Sequence, residues 1–144
     1  MTSEDATAWS LARMNTAFWY HYDRLEYDAV LEFFAPDALY DLHGRKLRGR
    51  AEIRDVLDAR PGPEMTARHI LTAQHFHTIS DTTAQGSLTL LGFGGPTPAE
   101  PGHTSYTPTT GGHIFELTDR YALADGHWTI THRTARKILA PALD

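Results

Sequence analysis

The feature that most constrains the fold of this chain is a change of hydrophobic period part-way along it. Up to about residue 60 apolar residues recur at helical spacing; beyond it they fall in strand-length runs divided by turn residues. Leu11, Met14, Phe18 and Tyr22 are spaced by three and four, which puts them on one face of a helix over Ala6–Tyr22. A second, short helix fits Tyr27–Phe34, with Asp28 in its first turn and Pro36 as its stop. Ala38–Leu42 reads as a strand, His43-Gly44 as a turn, and Lys46 to Gly49 as the return arm of a hairpin. Ile53, Val56 and Leu57 make Ala51–Ala59 a third helix, ended by Arg60-Pro61-Gly62-Pro63. Four strands follow over Thr66–Ile79, Thr83–Leu91, His113–Ala122 and His127–Lys137, with turns at Ser80-Asp81 and Ala124-Asp125-Gly126.

Helices first and strands after predict an α+β fold, in which helices cover one face of a mostly antiparallel sheet. The concave side of that sheet is the expected pocket. A length of 144 residues fits one core, so residues 1–144 are read as a single domain. Gly92 to Gly112 is rich in Gly, Pro and Thr and too long for a hairpin turn, which predicts a lid or an oligomer contact.

Charge and composition then exclude several functions. Thirteen basic residues against eighteen acidic give a net charge of −5, with no basic stripe to meet phosphates, so no nucleic-acid partner is expected. The absence of cysteine removes disulfides, thiolate nucleophiles and Cys-based zinc sites. No apolar run approaches the roughly 20 residues that cross a bilayer, and Met1 to Asp5 is acidic where a signal peptide is basic. A cytoplasmic location without a membrane partner is the expectation. Nine histidines against two lysines, Lys46 and Lys137, point to proton transfer near neutral pH.

Three constellations carry possible chemistry. Tyr20-His21-Tyr22-Asp23 ends the first helix, with His69 and His113 on later strands. A carboxylate that orients an imidazole leaves the second ring nitrogen free as a proton acceptor and raises its basicity, so Asp23 and His69 are a candidate dyad; a capping Asp and a hydrogen-bonded strand His are the plain alternative. His75 and His77 are one residue apart and share a face of a regular strand, but a metal site needs a third ligand, so solvated histidines are preferred and no metal is expected. Strict alternation would also put His69 on that face, so a bulge or a change of exposure must separate their roles. Arg133 and Arg136 have opposite parity, so one points inward, where a guanidinium stabilises an oxyanion or leaving group; a surface ion pair is the alternative. Phe18, Trp19, Phe33, Phe34, Phe115 and Trp128 are read as core or pocket wall. No Gly-rich phosphate loop, nucleophile elbow or HExxH motif occurs, so no cofactor is expected.

The run from Tyr22 to Ala38, YDRLEYDAVLEFFAPDA, followed by Gly49-Arg50-Ala51-Glu52-Ile53, resembles the front half of SnoaL-like proteins. Thr118-Asp119-Arg120-Tyr121, Asp125 to Ile130 and His132-Arg133 resemble their last hairpin. The resemblance covers most of the chain. It implies the nuclear-transport-factor-two-like fold, a cone of N-terminal helices packed on a strongly curved sheet around an apolar pocket. That superfamily hosts dehydratases, isomerases, cyclases, epoxide hydrolases and binders, so fold alone does not choose the function, and the resemblance implies a homodimer or homotrimer.

Within it the chain is most similar to the Asp-His branch that contains scytalone dehydratase, hexachlorocyclohexane dehydrochlorinase and bile acid dehydratase. The likeness places the catalytic Asp at Asp23, the dyad His at His69, a leaving-group arginine at Arg133, a pocket tyrosine at Tyr22 and a second histidine at or beside His113. The family's other pocket tyrosine falls near Leu42, two positions from Tyr40. Phe18, Trp19, Tyr20, Tyr40 and Phe115 are the expected substrate contacts. The implied activity is a cofactor-independent dehydratase for a small hydrophobic hydroxylated molecule, such as a polyketide, steroid or aromatic metabolite. A cyclase or isomerase using the same pocket, or a non-catalytic binder, is the alternative.

Overall fold

A computed structural model describes residues 1–143. Three helices come first, α1 (Ser3–Asp23), α2 (Tyr27–Glu32) and, after a hairpin, α3 (Gly49–Asp58). The strands are β1 (Phe34–Leu42), β2 (Arg45–Arg48), β3 (Met65–His77), β4 (Thr83–Pro96), β5 (Gly111–Ala124) and β6 (His127–Leu139). They form one sheet in the order β2-β1-β6-β5-β4-β3, antiparallel throughout except for the parallel β1–β6 pair. The helices-then-strands reading holds, and the differences lie at the boundaries. α1 starts at Ser3, three residues before the expected Ala6, because Thr2 and Asp5 form a capping box that satisfies free N–H groups. α2 stops at Glu32 and β1 begins at Phe34, so Pro36 lies inside a strand instead of ending a helix.

Curvature comes from bulges. Thr72 is an extra residue between the pairs Leu71↔Leu90 and Ala73↔Thr89, Gly112 between Gly92↔His113 and Phe93↔Gly111, and Thr131 between Arg120↔His132 and Tyr121↔Ile130. Each bends its strand and increases the local twist. The bent sheet wraps around α1, and the core of Leu11, Phe18, Phe34, Leu88, Leu117 and Ile130 fills the space between them.

The Gly- and Pro-rich stretch is shorter as a loop than its composition implies. β4 continues to Pro96, which pairs with Met65, and β5 resumes at Gly111, leaving 97–110 as the connection. This connection folds back over the end of the sheet, where Tyr106 meets the Phe93 ring at 5.0 Å.

Candidate active site

The site starts from the last residue of α1. Asp23 reaches β3, where one carboxylate oxygen accepts the backbone N–H of His69 at 2.7 Å and the other lies 2.6 Å from His69 Nδ1. The paired side chains are nearly covered, Asp23 at 4% and His69 at 15% exposure. With the carboxylate ionised, Nδ1 carries the proton it donates, and Nε2 is left with a free lone pair. Three rings box the imidazole: Trp19 at 4.8 Å, Tyr22 at 5.4 Å and Phe115 at 6.4 Å between centroids.

His69 and Phe115 stand between two chambers. The inner one, about 120 Å³, is lined by Trp19, Tyr22, Tyr40, Leu42, His43 and Leu90 among others. The outer one, about 210 Å³, is lined by Arg60, Gly92, Thr109, Thr110 and His113 together with Phe93. Register explains this pairing: His69 pairs with Gly92, and Gly92 pairs with His113, so the three form one row across β3, β4 and β5. The glycine holds the row open, since a Cβ there would sit 3.0 Å from the Phe115 ring and 3.5 Å from His69 Nε2.

The Thr72 bulge resolves the parity problem. It reverses the side-chain alternation, so His69 faces the cavity while His75 and His77 are exposed, their rings 5.4 Å apart. Among the described residues no group of three or more His, Cys, Asp or Glu is arranged to hold a metal.

Tyr22 and Tyr40 present neutral phenols to the inner chamber. Burial pushes both above the usual tyrosine range; Arg60 works against this at Tyr22, whereas at Tyr40 the neighbouring Tyr22 adds to the rise and Arg133 opposes it. Burial and the positive charges of Lys137 and Arg136 hold His43 below the ordinary histidine value, with Asp41 opposing.

Arg133 departs from its expected place. It does face inward and Arg136 outward, but Arg133 lies deeper in the cone and is held by Asp119, its direct partner on β5. Its Nε and Nη2 donate to the two Asp119 oxygens at 2.8 and 2.7 Å, and Nη2 also donates to Asn15 Oδ1 at 2.6 Å. Tyr121 donates to Asp119 at 2.5 Å and Asn15 Nδ2 donates to the Tyr121 hydroxyl at 3.1 Å. Burial opposes the Arg133 charge, yet Asp119 outweighs it and keeps the guanidinium above its usual range. The pairing anticipated for a surface arginine is therefore present, but in the core, where it occupies the Nε–Nη2 edge and leaves the buried Nη1 without a protein partner.

Other expected contacts divide in the same way. Trp19, Tyr22, Tyr40 and Phe115 line the inner chamber. Phe18 is fully buried behind that wall, against Trp19, Tyr22 and Phe34 and under the Arg133 guanidinium. Tyr20 is 53% exposed and carries the Arg24 guanidinium 3.7 Å above its ring, because two helical steps turn it about 200° from Tyr22. His113 faces the outer chamber, its Nε2 donating to Pro108 O at 3.0 Å. Arg60, His43 and Gly92 were not anticipated; all three sat in segments whose local signal was a turn or a loop.

The sequence profile of the SnoaL-like domain matches residues 6–134. The chain belongs to the SnoaL-like family. No curated protein matches it in sequence. Among solved structures, this SnoaL-like chain resembles a scytalone dehydratase-like protein from Novosphingobium aromaticivorans, with a TM-score of 0.79 at 17% identity, over 98% of this chain and 90% of that one. A type-3 hexachlorocyclohexane dehydrochlorinase from Novosphingobium barchaimii gives a TM-score of 0.76 at 15% identity, over 97% and 92%. A cystatin-like protein of unknown function from Nostoc punctiforme gives 0.71 at 14% identity, over 96% and 94%. These likenesses show the α+β architecture of helices on a curved, unclosed sheet, the nuclear-transport-factor-two-like fold. Among the described residues no helix is long and apolar enough to cross a membrane.

A larger groove of about 900 Å³ runs between α1 and the β5–β6 turn, with Met14, Phe33 and Trp128 on its walls and Glu32, Asp37 and Arg50 on its rim. It contains no imidazole–carboxylate pair among the described residues, so the largest space and the Asp23–His69 pair lie in different places.

Proposed function

We propose that this SnoaL-like protein is a cofactor-independent dehydratase for a small, hydrophobic, hydroxylated molecule. The observation that carries this reading is the bidentate Asp23–His69 pair, which leaves Nε2 free at the junction of the two chambers. His69 Nε2 takes a proton from a carbon next to a carbonyl, allylic or aromatic system, and Asp23 stabilises the imidazolium that forms. The C–H electron pair becomes the new double bond, and the C–O pair leaves with oxygen. A neutral tyrosine hydroxyl, Tyr40 or Tyr22, supplies the proton that turns the departing hydroxide into water, and the imidazolium restores that tyrosine. The net change is loss of one water. Arg133 lies beside Tyr40 with its Nε and Nη2 held by Asp119 and Asn15 and its buried Nη1 without a protein partner, so its charge favours the departing oxygen.

The test is turnover on a panel of hydroxylated aromatic, steroid and polyketide compounds, followed by the mass of the product. The parent protein is expected to release a product lighter by one water, and Asp23→Asn and His69→Ala to lower its rate by roughly 10²- to 10⁴-fold, the usual share of a general base. A product of unchanged mass would make the protein an isomerase or cyclase, and unimpaired variants would remove the dyad from the chemistry.

A further inference from the structure

The outer chamber contains a cation without a counter-ion. Arg60 follows α3 and is partly buried, its guanidinium stacked 3.9 Å over the Tyr22 ring. Nη1 donates to the Tyr27 hydroxyl at 2.7 Å and to the Tyr22 carbonyl at 3.4 Å. Among the described residues no carboxylate lies within ion-pair distance, and neither Nε nor Nη2 has a protein acceptor. Every partner of this charge is therefore neutral, in a place where desolvation weakens its contact with water and a buried charge ordinarily has a counter-charge.

The surroundings favour an anion. The chamber wall that Arg60 shares with His69, His113, Thr109 and Thr110 contains no Asp or Glu, and the nearby Asp23 is committed to His69 on both oxygens. The inner chamber beyond His69 is mostly aromatic and aliphatic, its polar groups being the Tyr22 and Tyr40 phenols and the His43 ring, and it holds no Asp or Glu. Tyr22 joins the two, with Arg60 on its face and the His69 ring at its edge. The free Nε–Nη2 edge of a guanidinium is a planar fork that matches two oxygens of one carboxylate. Stacking and the Tyr27 bond fix that fork in advance, so little order is lost when it is filled.

We propose that Arg60 is a specificity residue that binds a carboxylate on the substrate, so that an apolar body enters the inner chamber while an acid group stays in the outer one. The substrate class is then an amphipathic hydroxylated acid, which rests on the reading that His69 acts on a molecule held in this cavity. Arg60 takes no part in the proton transfer.

The experiment compares two probes of nearly the same shape, 1-naphthylacetate and its neutral amide, by isothermal titration calorimetry at neutral pH. The parent protein is expected to prefer the carboxylate by roughly ten- to a hundredfold, the range of one charge-assisted hydrogen-bonded pair. Arg60→Gln should erase the preference while leaving amide affinity within a factor of about two, and Arg60→Lys should keep part of it. Melting temperatures of both variants separate this effect from loss of fold. Equal affinity of the parent for the two probes, binding of neither, or a preference that survives in Arg60→Gln would overturn the assignment. Because binding is read without turnover, failure here leaves the dehydratase reading standing, and intact activity in His69→Ala would remove that reading while leaving a measured carboxylate preference in place.

Discussion

Gly92 shapes the site by what it lacks, because its missing side chain leaves the row between His69 and His113 open. Gly92→Ala should still fold, with its Cβ in van der Waals contact with His69 and close enough to Phe115 that the ring must give by a few tenths of an ångström, an overpacking cost of about 1 kcal/mol. Urea denaturation alongside turnover should show activity falling further than stability, with Gly92→Val worse on both. Residues of this kind separate what was legible in the sequence from what was not. Asp23 and His69 could be placed because their surrounding residues resemble a family and their chemistry is complementary. Arg60 could not, because Arg60-Pro61-Gly62-Pro63 signals the end of a helix and says nothing about which ring the guanidinium will cover. Arg133 was legible as inward but not as occupied, since Asp119 becomes its partner only through the β5–β6 register.

At the scale of elements, the bulge at Thr72 decides which histidine faces the cavity. Residues before it keep one alternation and residues after it the other, so His69 and Phe76 both turn toward the interior although seven residues separate them. Deleting Thr72 should force one half of β3 to present its wrong face, either exposing Phe76 or removing His69 from Asp23. The expected result is a markedly destabilised protein or a folded one without activity, distinguished by far-ultraviolet circular dichroism and turnover. Nothing near Thr72 announces a bulge; neither glycine nor proline marks it, and only pairing with β4 reveals the extra residue. The opposite error occurs at Gly92 to Pro96, where glycines imply a loop but ladder pairing with β3 holds the backbone extended. Helical elements were read more closely because their signal is local, whereas strand limits depend on partners remote in sequence.

For the molecule as a whole, the helices-then-strands order was enough to give class and pocket side, and curvature was what the order could not contain. One global property follows from the phenols drawn inside. Burial raises Tyr22, Tyr40 and Tyr121 above the value of 10.0 expected for a free tyrosine. Below that pH the phenols are neutral in both folded and unfolded chains, and their stabilisation is fully present. Above it the unfolded chain releases protons that the folded one retains, so stability falls as pH rises. The urea midpoint should therefore drop steeply above pH 10, phenolate absorbance of these three should appear together with loss of ellipticity, and Tyr40→Phe should flatten the slope.

The parallel pairing of β1 with β6 has a consequence for synthesis. Residues 34–42 wait for residues 130–135 before their inner edge is covered, so during synthesis β1 has β2 as its sheet partner and an open second edge until β6 has been made. A polypeptide cut before β6 would keep that edge exposed, and an exposed strand edge is a template on which other chains can pair.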